Sequence, residues 1–259
     1  PRATSFPKEV RLVSLLRYRG QIVRHFGNDA EGIDLQKQSL EKAGLLFGRK
    51  SIRYLHALND YVVSIADCWS LENPVVKAKE LEMIAKALLS ESDPQLWRIT
   101  FNCYSIYLEK AETDGDRSRI SNLIPQIKQI YEFQNAFHGS DHEHTIQSLR
   151  SLAKAYYYLG ENANAFACLR SALRALSGYT SGLIQNRIKC IMDMSCILLD
   201  TGRYATALGV LGLASENEAA DLPPKERIAY EQRKAEVLFA LGRPGEGALA
   251  FSGSHGEIP

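Results

Sequence analysis

The sequence predicts an all-α fold, a right-handed superhelical solenoid of about six antiparallel helix-turn-helix hairpins. Three observations carry this expectation: a turn residue that recurs about every 42 positions, a small residue at a fixed distance on either side of it, and helical apolar periodicity between turns.

The turns come first. YYYLGENANAFACL at 156–169, LLDTGRYATALGVL at 198–211 and LFALGRPGEGALAF at 238–251 align on Gly160, Gly202 and Gly242. Upstream, Gly27, Asn73 and Gly115 continue the register, so the intervals along the chain are 46, 42, 45, 42 and 40. Glycine or asparagine at this point has a mechanical reason. A helix that ends and reverses within a few residues needs a left-handed residue, which these two adopt at least cost. The register divides 1–259 as one array, with hairpins at about 8–48, 49–92, 93–138, 139–178, 179–222 and 223–253.

The small columns come next. Seven residues before each turn stand Gly20, Ala66, Leu108, Ala153, Ser195 and Ala235; five after it stand Gly32, Ala78, Ile120, Ala165, Ala207 and Gly247. Side chains this small let two antiparallel helices cross closely. Two hairpins depart from the pattern. In the third, Leu108 and Ile120 are bulky and Pro125 falls within the second helix, which is expected to start late or kink near 124–125. In the sixth, Pro244, Gly245 and Gly247 stand where helix formers are wanted, so a frayed or incomplete end is expected.

Composition excludes several classes. Hydrophobic residues make up 45% and charged residues 24%, the balance of an ordinary folded protein. Lys plus Arg number 31 against 30 Asp plus Glu, so no global field draws in nucleic acid or an anionic membrane. No apolar run is long enough to cross a bilayer, and the start lacks a secretory h-region. The five cysteines show no metal-ligand spacing and read as free, buried thiols of a reducing, cytoplasmic compartment. Pro1 in place of Met suggests that the natural chain extends further.

Chemistry is sought and not found. His142 and His144 are separated by one residue and cannot share a helix face as an i, i+4 metal pair does; Asp141 is expected to cap the helix that follows. GRPGEG at 242–247 matches no phosphate-binding motif. Tyr156, Tyr157 and Tyr158 spread over about 200° of a helix and form no base-stacking platform. Trp69 and Trp97 read as packing residues. No cofactor, metal or catalytic residue is assigned, and no enzymatic activity is expected.

These turns and small columns resemble the tetratricopeptide (TPR) repeat. The stretch 139–176, with an acidic-His lead-in, a Leu-x-x-Leu-Ala first helix and an Ala-Leu second helix, is similar to the 42-residue repeats of kinesin light chains. In that family the first helix of each hairpin lines a concave groove that holds protein or peptide segments. The resemblance therefore implies a scaffold whose partner-facing residues include Arg17, Tyr18, Arg24, Arg150, Lys154, Tyr157, Lys189 and Arg233. It implies a groove that is basic and aromatic at the first and fourth hairpins, with Asp60, Asp67 and Glu109 between, suited to a partner segment with acidic and apolar residues. Kinesin-light-chain repeats commonly carry Asn-Asn where this chain has Arg150-Ser151, and the Lys/Asn set of a two-carboxylate clamp is missing, so capture of a chaperone C-terminus is not expected. The alternative expectation is a sensing or regulatory arm of a larger signalling protein, its caspase-like or nucleotide-switch effector domain lying outside this chain.

Overall fold

The computed structural model describes residues 8–68, 73–177 and 183–253. Among them every regular element is an α-helix, thirteen in all: α1 (Lys8–His25), α2 (Asp29–Phe47), α3 (Ile52–Ala66), α4 (Pro74–Leu88), α5 (Pro94–Thr113), α6 (Arg117–His138), α7 (Glu143–Tyr158), α8 (Asn162–Ala175), α9 (Ile184–Asp200), α10 (Tyr204–Leu211), α11 (Glu216–Ala220), α12 (Pro224–Ala240) and α13 (Pro244–Gly253). They form two compact units, Pro1–Asp116 and Arg117–Pro259.

In the first unit α2 packs between α1 and α3, and α4 between α3 and α5. Its core is made by Val13, Ile33 and Ala43 of the first two helices, then Leu55, Leu58 and Ile65 of α3, Leu81 of α4 and Ile99 of α5. In the second, α7 packs on α6, α8 and α9, and α12 on α9, α10 and α13. There Ile146, Leu149, Leu169, Ile188, Ile191 and Leu211 are buried together.

Gly27, Gly115, Gly160, Gly202 and Gly242 all have positive φ, between 68° and 90°. Each closes its helix with the same two bonds. At Gly160, the glycine amide donates to Tyr157 O at 2.8 Å and the next amide, Glu161, donates to Tyr156 O at 2.8 Å, a Schellman end that satisfies the last carbonyls. Asn73 departs from the expectation. It is extended (φ −75°, ψ 105°) and caps α4, its side chain accepting from Val75 N. The α3–α4 connection is therefore longer than the other five turns: Asn73 stands seven residues past the end of α3, where each turn glycine stands two past the end of its helix.

Eleven of the twelve small-column residues are buried; Ala66, beside the longer turn, is half-buried. The columns meet as crossing points. A Cβ added to Gly20 would lie 2.8 Å from Gly32 O, one added to Gly32 would lie 2.8 Å from Gly20 O, and one on Gly247 would lie 3.2 Å from Ala235 O.

Three expectations are corrected. α6 starts at Arg117 and runs through Pro125, because Pro125 and Ser121, whose carbonyl loses its amide partner, both face solvent. α13 forms despite its glycines: Pro244 opens it at a position where no amide donor is needed, and Arg243 forks onto Glu246 with contacts of 2.7 and 2.5 Å. The cap of α7 is His142 rather than Asp141, its Nδ1 accepting from His144 N at 3.2 Å. Trp97 is half-buried and donates to Glu91 O at 2.6 Å, whereas Trp69 lies outside the described residues.

Candidate functional site

The residues expected to face a partner sit on α1 in the first unit and on α7, α9 and α12 in the second. Most of them are held by a residue about one repeat further on.

On α1, Arg17 Nε lies 2.7 Å from Asp60 Oδ2, and its guanidinium stands 5.1 Å from the centroid of the Tyr18 ring. Gln21 Nε2 donates to the same Asp60 carboxylate at 3.0 Å. Burial pushes the Asp60 carboxyl upward, opposed by the positive charge of Arg17. Arg24 reaches furthest. It donates to Ser64 Oγ at 2.7 Å, pairs with Asp67, and lies 3.5 Å from Asp29. Its stem passes directly over Gly32, where a Cβ would stand 2.2 Å from Arg24 Cγ. The crossing glycine thus opens the path that lets Arg24 reach α3. Asn59 continues the series, accepting from Asn102 Nδ2 at 2.9 Å.

The second unit repeats the device. Arg150 Nε donates to Asp193 Oδ2 at 2.7 Å, and the Tyr157 hydroxyl donates to Asp200. Lys189 Nζ lies 3.5 Å from Glu226, which also accepts from Gln185 at 2.8 Å. Arg233 pairs within its own helix, with Glu236 at 2.6 Å. Lys154 is exposed, and Tyr157 half-exposed, beside a cavity of about 140 Å³ between α7, α8 and α9, lined by Ala153, Tyr158, Leu169, Asp193, Cys196 and Ile197.

Two things follow for recognition. The basic residues do not form an uncompensated strip, since Arg17, Arg24, Arg150 and Lys189 each face a carboxylate. The small cavity has an apolar floor and a charged rim, the form of a seat for one side chain. The sequence reading missed an exposed stripe along α1 and the residue after it: Leu15 (65% exposed), Ile22 (57%) and Phe26 (83%) lie on the side away from Val13 and Gly20. Their i, i+7, i+11 spacing is the signal that could have found it.

No thiol is activated among Cys103, Cys168, Cys190 and Cys196. Burial raises all four, and pushes Cys190 up to about 12. No group of three His, Cys, Asp or Glu residues among the described residues is arranged to hold a metal ion. No helix of the described residues is long and apolar enough to cross a membrane.

No protein-family model matches the sequence, and no curated protein matches it. Solved structures do. TPR-like repeats described as those of a kinesin light chain from Podosopora anserina superpose with a TM-score of 0.58 at 15% identity, covering 78% of this chain and 93% of that one. BtubC (BKLC) from P. vanneervenii superposes with a TM-score of 0.57 at 13% identity, covering 88% of this chain and 92% of its own. The turn glycines, the small crossing residues and these superpositions agree: the chain is, by its fold, a TPR-like repeat protein.

Proposed function

We propose that the hairpins act as one array, a scaffold that holds a segment of another protein along the faces of its first helices, without chemistry of its own. The observation that carries this reading is the cavity beside Lys154 and Tyr157, a side-chain-sized seat next to an exposed cation on a helix face. A partner segment with an apolar residue for the seat and an acidic residue for Lys154 suits it. Arg150 would exchange Asp193 for a partner carboxylate at little cost, because the two side chains are 25% and 40% exposed and such a pair is worth only about 0–1 kcal/mol. Arg17, Tyr18 and Arg24 form the corresponding surface of the first unit, and Lys189 and Arg233 extend that of the second. The free thiols fit a reducing, cytoplasmic setting.

The test is capture of partners on the immobilised chain, followed by titration of the purified partner. Lys154→Glu is expected to weaken binding at least about tenfold, about 1.4 kcal/mol, with an unchanged melting temperature. Equal affinity for wild type and variant would move the site away from α7.

A further inference from the structure

Three imidazoles gather where α6 turns into α7. His138 ends α6, His142 caps α7 and His144 sits in its first turn. The rings of His138 and His142 are stacked, with centroids 4.1 Å apart and planes 12° apart. His144 lies 5.1 Å from His142 and 6.0 Å from His138. Phe137 meets His138 edge-on at 4.7 Å.

Both contacts of His142 require a neutral ring. As the N-cap it accepts the His144 amide proton on Nδ1, so that atom must carry a lone pair and the ring proton must sit on Nε2. An imidazolium donates from both nitrogens and cannot accept. It would also place positive charge at the positive end of the α7 dipole. In the stack, two charged rings would face each other at 4.1 Å.

We infer that the α6–α7 turn is an acid-sensitive joint, in which protonation of the His138–His142 pair removes the cap of α7 and loosens the hinge between these helices. His138 titrates below the ordinary histidine range, through burial and then the charge of His142. For a base held down in the fold, the sign is fixed. Stability is full above the unfolded value of about 6.5 and is lost as pH falls through the lowered folded range.

Asp141 and Glu143 flank the cap in sequence, and Glu143 accepts from Gln147 at 2.9 Å. On α8, which packs on α7, the charged residues are Arg170 and Arg174, and Glu161 is its N-cap. On α9 they are Arg187, Lys189, Asp193 and Asp200, which contact Glu218, Glu226, Arg150 and Tyr157 respectively. On α6 Lys128 lies 3.9 Å from Glu132, well before the turn. Around the turn, Thr145 Oγ1 donates to Gly139 O at 2.8 Å and Ser148 Oγ donates to Gln134 at 2.6 Å.

The experiment is a histidine NMR titration of the full chain, with amide exchange at His144 measured at pH 7.5 and 5.5 and corrected for intrinsic rate. His138 is expected to titrate below the ordinary histidine range, with a curve broadened by its stacked neighbour. Exchange at His144 should rise about fivefold at pH 5.5, the loss of one N-cap. His142→Asn supplies a cap that does not titrate and should abolish the rise; His138→Phe keeps an aromatic partner and leaves the His142 cap, so the rise should persist. Titration of His138 at the ordinary histidine value, or an undiminished acid response in His142→Asn, would overturn the proposal.

Discussion

Replacing Gly32 with alanine tests how closely α1 and α2 cross. In an unhindered helix interior the change would stabilise by about 1 kcal/mol. Here the new methyl would stand 2.8 Å from the Gly20 carbonyl oxygen and 2.2 Å from Arg24 Cγ, both far inside contact distance. Forcing the helices apart costs about 1–3 kcal/mol, as overpacking does elsewhere. Displacing the Arg24 stem also breaks its contacts with Ser64 and Asp67, partly exposed and worth up to about 1 kcal/mol together. The net expectation is a loss of about 2 kcal/mol, a urea midpoint lower by about 1 M for the first unit. Gly209 on α10 is the control, since a Cβ there meets nothing within 4 Å. Gly209→Ala should stabilise the second unit by up to about 1 kcal/mol. The assay is urea unfolding followed by circular dichroism. A neutral or stabilising Gly32→Ala would mean that α1 and α2 yield at this point, and the close-crossing argument would fail.

Other substitutions probe the turns and thiols. Gly202→Ala, at φ 72°, should destabilise by about 1–2 kcal/mol in the same unfolding assay, with Gly202→Asn costing less. Asn73→Ala should cost about 1 kcal/mol by loss of the α4 cap, whereas a left-handed Asn73 would predict a gain for Asn73→Gly. Cys103 and Cys190 should react with a thiol reagent at pH 7.5 far more slowly than unfolded chain; fast labelling of either would contradict their burial.

The elements that sequence reveals most readily are those fixed within a few residues. Gly160, Gly202 and Gly242 are legible because a helix that reverses so soon has few other ways to end. Asn73 misleads because asparagine serves both as a left-handed residue and as an N-cap, and only the length of the α3–α4 connection decides between them. Pro125 misleads for a different reason. The cost of a proline depends on whether the stranded carbonyl meets water, and that follows from which face of α6 packs. The candidate site is legible as a set of positions and illegible as a field of charge. Arg17, Arg150 and Tyr157 are placed on the first helices by their register, but their partners Asp60, Asp193 and Asp200 lie 43 residues away. Opposite charges offset by one repeat are a pattern in the sequence, visible once the period is used to search for pairs rather than for turns.

That offset makes the order of the repeats chemically legible to the chain itself. Asp193 stands nine residues before Gly202, and the residue nine before Gly242 is Arg233. A chain shortened by the hairpin that carries Asp193 would keep every turn glycine around the junction, yet bring Arg150 against an arginine. That rung therefore identifies its successor, so that loss of this hairpin shows up as a clash of like charges rather than as a shorter copy of the same protein.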